Sequence, residues 1–450
     1  MRFVSIRRLL AAVPALIMVL TMMAALAASP AHAVQVERVT SPGGIEAWLI
    51  RDHSNPITTL KLSFRGGAAL DPDGKSGLAN LAAATMDEGA GDMDSNTFQK
   101  ALDERSITLR FTAGRDRFDG SLRTLNKHRD EAFEYLRLAL NEPRFDEEPV
   151  ERMRARIISG IRQQQEDPRN RAGRALFETA FEGHPYARDN DGTVESVSAL
   201  TAADLRTFVG ERIARDNLLI GVVGDIDAET LKGYLDKAFG TLPEKAAPWH
   251  VAKIAPKLSG GVQVIDVDVP QSAIQFAQPG ILRSDPDFYT AYVLNYVIGG
   301  GGFVSRLYEE VREKRGLAYS VYSYLMPLDA AGAVMGGAAT ANARVAETVT
   351  TVRDVWKKFA DEGPTPEELK DAKTYLTGAF PMRFTSSSAI ADMLVGMQEE
   401  NLGIDYIEKR NSYIEAVTLE DAKRVAKRLY QPDKLTFAIA GKPEGVVSGN

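Results

Sequence analysis

The sequence predicts an α+β fold built from two homologous halves. Strand-like apolar runs are mixed with long stretches of helical periodicity, the pattern of helices packed on largely antiparallel sheets. A helix–strand unit near the middle of the chain recurs near its end. A Pro- and Gly-rich stretch separates the two copies. At 450 residues the chain exceeds one ordinary domain. Apolar residues make up 44% and charged residues 26%, close to globular averages, which excludes wholesale disorder.

Residues 1–8 carry Arg2, Arg7 and Arg8 and no acid, and residues 9–28 are almost wholly apolar. Ala31-His32-Ala33 then makes a small-residue cleavage pattern. This reads as a secretory signal peptide over residues 1–33. An uncleaved anchor is the alternative, because the apolar run is long enough to span a bilayer. Cleavage takes the formal net charge from −7 to −10 by removing the three arginines. No other segment is apolar enough to span. The expected product is an acidic, exported protein, periplasmic or secreted.

The first half, 34–241, contains strand-like runs at Thr58–Phe64, Thr108–Thr112 and Leu218–Val223. Its helix Glu148–Gln165 has Val150, Met153, Ile157, Ile158 and Ile161 at helical spacing, so one face packs on a core. Residues 242–261 read as a linker, with Pro243, Pro248, Pro256 and Gly260-Gly261. The second half, 262–450, contains runs at Val262–Val267, Ala273–Phe276, Ala318–Leu325 and Thr436–Ala440. Its helices are Ser305–Lys314 and Pro366–Ala379. Leu200–Asp225 aligns on Val417–Lys442 without a gap at an offset of 217 residues. Thr201, Asp204, Asp216, Leu218 and Gly224 match Thr418, Asp421, Asp433, Leu435 and Gly441. In both copies Thr-x-x-Asp opens a helix as an N-cap pattern does, and the apolar run after it stops at glycine. Arg129–Leu138 before Glu148–Gln165 corresponds to Val345–Phe359 before Pro366–Ala379.

Cysteine is absent, so a disulfide scaffold, a thiol nucleophile and a thiolate metal site are excluded. The five histidines, His32, His53, His128, His184 and His250, are too far apart for a local metal motif. The acidic balance argues against non-specific nucleic-acid binding. Gly299–Gly302 lacks both the following Lys-Ser/Thr and the G-x-G-x-x-G spacing of phosphate loops.

The stretch Gly302–Val321, GFVSRLYEEVREKRGLAYSV, together with Gly77–Gly89, His184-Pro185-Tyr186 and Gly192-Thr193, resembles the pitrilysin/insulinase-type metallopeptidases, the inverzincins. The resemblance covers nearly the whole chain after the leader. It implies two duplicated α+β domains and a clamshell dimer. Active members carry H-x-x-E-H on a helix. Two imidazoles one helical turn apart face a zinc ion, and the Glu works on its bound water. Here Asn80, Ala83 and Ala84 occupy those three positions, and the third ligand, a Glu in the family, falls near Gly160. An amide is a poor zinc ligand and alanine offers no donor. The resemblance therefore implies a chain that holds no metal and hydrolyses no peptide alone.

What the resemblance retains lies in the second half. Arg312 and Tyr319 stand at the family's seven-residue spacing for a pair that hydrogen-bonds the scissile carbonyl as it becomes an oxyanion. Read without that context, Arg312 is a solvated charge at a helix end and Tyr319 a packing residue. Arg312 is expected late in its helix, and Tyr319 at the start of the following strand. Gly300 and Gly301 belong to a glycine-rich loop that, by resemblance to the non-catalytic subunit of the mitochondrial processing peptidase, helps to hold substrate. A helix-capping turn needing positive φ is the other reading of these glycines. The expected partner is a homologous subunit with intact H-x-x-E-H, which supplies the zinc. Peptide is expected to bind by strand addition to a sheet edge, and the acidic net charge favours basic or neutral peptides. A structural or peptide-binding pseudopeptidase, like the core subunits with this fold in respiratory complexes, is the alternative.

Overall fold

The computed structural model describes residues 35–449. The signal peptide expected over residues 1–33 lies outside the described residues. Both Thr-x-x-Asp sequences open helices as their spacing predicts. Thr201 Oγ1 accepts from the Asp204 N–H at 3.3 Å, and Thr418 Oγ1 accepts from the Asp421 N–H at 3.0 Å. The helices Ala202–Arg212 and Leu419–Leu429 then lead into buried strands.

Each half builds one sheet. The first contains β1 (Glu37–Thr40), β2 (Glu46–Arg51), β3 (Ile57–Arg65), β4 (Thr108–Ala113), β5 (Arg117–Leu125) and β6 (Leu218–Gly224), in the order β1-β2-β6-β3-β5-β4. The second contains β7 (Val262–Asp266), β8 (Gln271–Pro279), β9 (Val321–Pro327), β10 (Gly332–Ala341) and β11 (Thr436–Gly441), in the order β7-β11-β8-β10-β9. In each sheet one pair is parallel, β2 with β6 and β7 with β11, and every other pair is antiparallel. The matching order is the structural form of the sequence repeat.

One face of each sheet packs on helices of its own half. Leu81, Phe98, Phe133, Leu205 and Leu235 fill the first core, and Trp356, Phe359, Leu294 and Val425 the second. The other face is covered by a helix from the opposite half. Helix Pro168–Ala180 lies on β8 and β11, and helix Ser387–Glu399 lies on β3 and β6. Small residues make the exchange possible. Ala172, Ala175 and Ala180 meet Ala277, Ala438 and Ala440. A Cβ added to Gly221 would stand 2.6 Å from Ala391 O.

Residues 242–261 connect the two halves without helix or strand and pack on both of them. Ile254 N–H donates to Ala330 O, Lys257 N–H donates to Ala180 O, and Leu258 is buried. The connector is a strap laid across both halves. From Glu37 onward the chain is one compact unit. Among the described residues no helix is long and apolar enough to cross a membrane.

Candidate functional site

Asp71 sets the first site. Its buried carboxyl accepts the N–H groups of Gly77, Leu78 and Ala79 at 2.8–3.1 Å and so caps helix Leu78–Thr85. Helix Glu147–Glu166 packs beside it. Between them and β4 lies a cleft of about 610 Å³, onto which Asn80, Ala83, Ala84 and Gly160 all open. The four positions read from the sequence are thus brought together, but as an amide, two methyl groups and a glycine. Asn80 Nδ2 donates to Asp191 Oδ1 and Gln164 Nε2 to Asp191 Oδ2, both at 2.9 Å. A zinc ion needs three or more N, S or carboxylate donors on one point. These residues do not fit it, and among the described residues no three His, Cys, Asp or Glu side chains converge.

The histidines do not repair the deficit. His184 is buried, accepts the Tyr186 N–H at Nδ1 and pairs through Nε2 with Ala252 O at 2.8 Å, a satisfied core side chain. His53 contacts Asp225, and His128 contacts Glu131, each a single carboxylate partner. His32 lies outside the described residues. Asp87, also in the cleft, is pushed up to about 7, chiefly by burial, with Glu88 adding and Arg110 opposing. β4 forms the rim of this cleft and the open edge of the first sheet, with its outer N–H and C=O groups unpaired by any other strand among the described residues.

The second site differs from expectation in its local build. The helix predicted over Ser305–Lys314 contains a π turn, Tyr308–Glu313. Gly316, at φ +59°, lets the chain reverse, and the Leu317 N–H returns to Val311 O. Tyr319 does not begin a strand: β9 starts at Val321, where pairing with Ala338 of β10 begins. Tyr319 is 82% exposed. The Arg312 guanidinium lies 4.7 Å from the Tyr319 ring centre and 4.8 Å from that of Tyr308, whose hydroxyl accepts from Arg312 Nη1. Phe303 stands edge-on to Tyr308 and is 75% exposed. Arg312 and Tyr319 are therefore in direct contact, through ring stacking. Sequence reading did not single out Tyr308 or Phe303, although Tyr308 stands at the i, i+4 helical spacing from Arg312 that could have flagged it.

The glycines are explained by space as well as by turn. Tyr296–Gly300 is a second π turn. A Cβ at Gly300 would stand 2.6 Å from Asn295 Nδ2, and one at Gly301 2.7 Å from Tyr296 O. Only Gly302, at φ +58°, uses the left-handed region. The positive-φ reading thus fails for Gly300 and Gly301, which are small because the chain is crowded there. Both also line a cleft of about 660 Å³ in the second half. Two π turns bracketing one loop are notable, since such turns are rare and concentrate at functional sites. The cleft that holds Asn80 and Ala84 is lined by the first half alone, so Arg312 and Tyr319 do not reach into it.

A family model described as insulinase, peptidase family M16, matches residues 47–193, and one described as the peptidase M16 inactive domain matches residues 199–376. A Helicobacter pylori protein named non-peptidase homolog YmxG is 27% identical over 86% of this chain and 90% of its own length. A Mycobacterium leprae protein named an uncharacterized zinc protease is 26% identical over 89% and 90%. A crystal structure described as a peptidase M16 inactive domain, from Pseudomonas fluorescens, superposes with a TM-score of 0.85 at 29% identity, covering 92% of this chain and 99% of that one. A chain of Complex III2 from Candida albicans shares the fold, with a TM-score of 0.77 at 17% identity.

Proposed function

The chain belongs to the insulinase, or M16, peptidase family as a member without metal ligands, and from that premise we propose that it is the non-catalytic subunit of an exported heterodimeric zinc peptidase. Its partner is a homologous chain that keeps H-x-x-E-H and holds the zinc. This chain contributes Arg312 and Tyr319. As the scissile carbonyl of a bound peptide gains negative charge, the guanidinium and the phenol donate hydrogen bonds to its oxygen. Donors fixed in advance stabilise a transition state because they need little reorganisation when charge develops. Activation of the attacking water belongs to the partner. Gly300 and Gly301 hold the peptide beside the pair.

One observation carries this reading. Arg312 is held by two aromatic rings, yet its partner Tyr319 points into solvent. A packing tyrosine would be buried, and a solvated arginine would have no reason to be stacked between rings. Exposed aromatic surface of this kind marks interaction sites, and Phe303 extends it.

Mixing this chain with an H-x-x-E-H homologue and a peptide library tests the proposal. Turnover should need both chains, and Arg312→Ala or Tyr319→Phe should lower it about 10²-fold. Turnover indifferent to both substitutions sinks the proposed role. An adjacent reading frame encoding an H-x-x-E-H chain favours this assembly.

A peptide-binding pseudopeptidase is the second reading, favoured by the open edge of β4 along the emptied cleft. An extended peptide adds to such an edge through backbone hydrogen bonds and needs no metal. On that reading the chain alone binds peptide, and no partner confers turnover.

A further inference from the structure

The second-half cleft of about 660 Å³ is unlike the rest of this acidic chain. Two arginines, Arg383 and Arg410, line it, and among the described residues no carboxylate does. Its other walls are largely aromatic: Tyr292, Tyr296, Phe303, Tyr375 and Phe380. The Gly300–Gly302 loop forms one lip, and the segment Tyr375–Arg383 forms the other.

Arg410 is the decisive residue. It is 5% exposed, and among the described residues it forms no ion pair. An arginine is almost never so buried without an anionic partner. Its hydrogen bonds go to two neutral acceptors, Leu376 O at 2.7 Å and Asn411 Oδ1 at 3.0 Å. Both acceptors bind Nη1, which leaves the Nε and Nη2 donors without a protein acceptor among the described residues. The guanidinium lies 4.4 Å from the Phe380 ring centre and 5.8 Å from that of Tyr292. Stacking offsets part of the cost of burying the charge but supplies no acceptor for the remaining N–H groups. A planar guanidinium with open donors at the floor of an aromatic cleft matches a carboxylate.

We infer that this cleft binds an apolar peptide segment bearing a carboxylate, with the carboxylate on Arg410 and the apolar side chains against Tyr296, Tyr375 and Phe303. The inference rests on the peptide-holding role given above to Gly300 and Gly301, and it names the chemistry of what they hold. It reverses the expectation, drawn from net charge, that basic or neutral peptides are preferred. Net charge is a sum over the surface, whereas a peptide meets only the charges of the cleft it enters. The carboxylate is either a chain terminus or a glutamate side chain, since both present the same group.

Titration calorimetry of the purified chain with four acetylated tripeptides tests this. Two consist of phenylalanine and leucine and end in a free carboxylate or an amide. The other two end in an amide and carry glutamate or glutamine between two phenylalanines. At least one carboxylate peptide should bind about tenfold or more tighter than its neutral counterpart, and which one identifies the source. Arg410→Gln should abolish that preference. Where Arg410→Gln does not fold, the surface variants Arg383→Gln and Tyr375→Ala serve, and each should weaken binding of the charged peptide about threefold or more. Equal affinity within both pairs, no binding by any of the four, an undiminished preference in Arg410→Gln, or undiminished binding in either surface variant would overturn the inference. No second chain and no turnover is involved. Failure here leaves the Arg312/Tyr319 reading standing, and turnover indifferent to Arg312→Ala leaves this result standing.

Discussion

Single residues separate what this chain can do from what it cannot. Arg312 illustrates how context changes a residue's meaning. Near the end of a helix it would ordinarily be a solvated charge, but here Tyr308 and Tyr319 hold it from two sides. Gly160 illustrates the reverse, a position whose place survives without its chemistry. It lines the first-half cleft, and a side chain added there meets no atom within 4 Å. Asn80→His, Ala84→His and Gly160→Glu together should therefore restore three donors to one point. Elemental analysis of the triple variant should find about one zinc per chain, as three protein ligands and a water complete such a site. A variant that folds and takes up none would show that the helices no longer hold metal-binding geometry. The donor losses were legible because they are chemical facts of the side chains. The Arg312 contacts and the isolation of Arg410 were not, because their partners come from other turns and other helices.

At the scale of elements, the exchanged helices govern stability. Gly221 on β6 lies against Ala391 O and Leu394 Cβ of helix Ser387–Glu399. Gly221→Ala should destabilise the chain by about 1–3 kcal/mol through overpacking against backbone, measured by urea unfolding. The same seam carries a titrating group. Asp119 on β5 faces Lys61 and Arg117 of its own sheet and Asp392 and Glu399 of the helix. Burial pushes its carboxyl up to about 6; Glu399 and Asp392 add to the rise, while Ser63 and Arg117 oppose it. A carboxyl raised on folding stabilises most below its unfolded value near 4, and this contribution is lost as pH rises through about 6. Asp119→Asn should remove that loss. Relative to the parent, the variant should gain on the order of 1–3 kcal/mol between pH 4 and pH 7, read from urea midpoints. Equal pH profiles would show that Asp119 does not couple to the fold. Sequence runs found β4, β7 and β9 as well as β3, β6, β8 and β11, the last four most plainly because strands buried on both faces read as apolar runs. They missed β1, β2, β5 and β10. β5 alternates charged and apolar residues, and β10, GAVMGGAATA, is small rather than bulky. Gly336 in β10 leaves room for the Phe276 ring, a need that arises only across the sheet.

For the whole molecule, duplication and exchange together make two halves behave as one body. Each sheet is sealed by the other half's helix, so neither half retains a complete core alone. Lys253, in the exposed part of the strap, is the natural place for a nick. Cleavage there should leave both fragments together in size-exclusion chromatography without denaturant, since the buried contacts on both sides of the strap survive. Fragments that separate would argue that the exchange contributes little. Such a body carries the two clefts and the Arg312 face on one compact unit.

By itself the sequence determined the duplication, the helix starts and the loss of every metal donor at the family's positions. Each of these is written in side-chain type and short spacing, and local chemistry is enough to read them. Only the tertiary structure decided which helix covers which sheet, why the glycines near 300 are small, and where an arginine is buried without its counter-charge. Those depend on atoms brought together from far along the chain, and packing, not spacing, sets them.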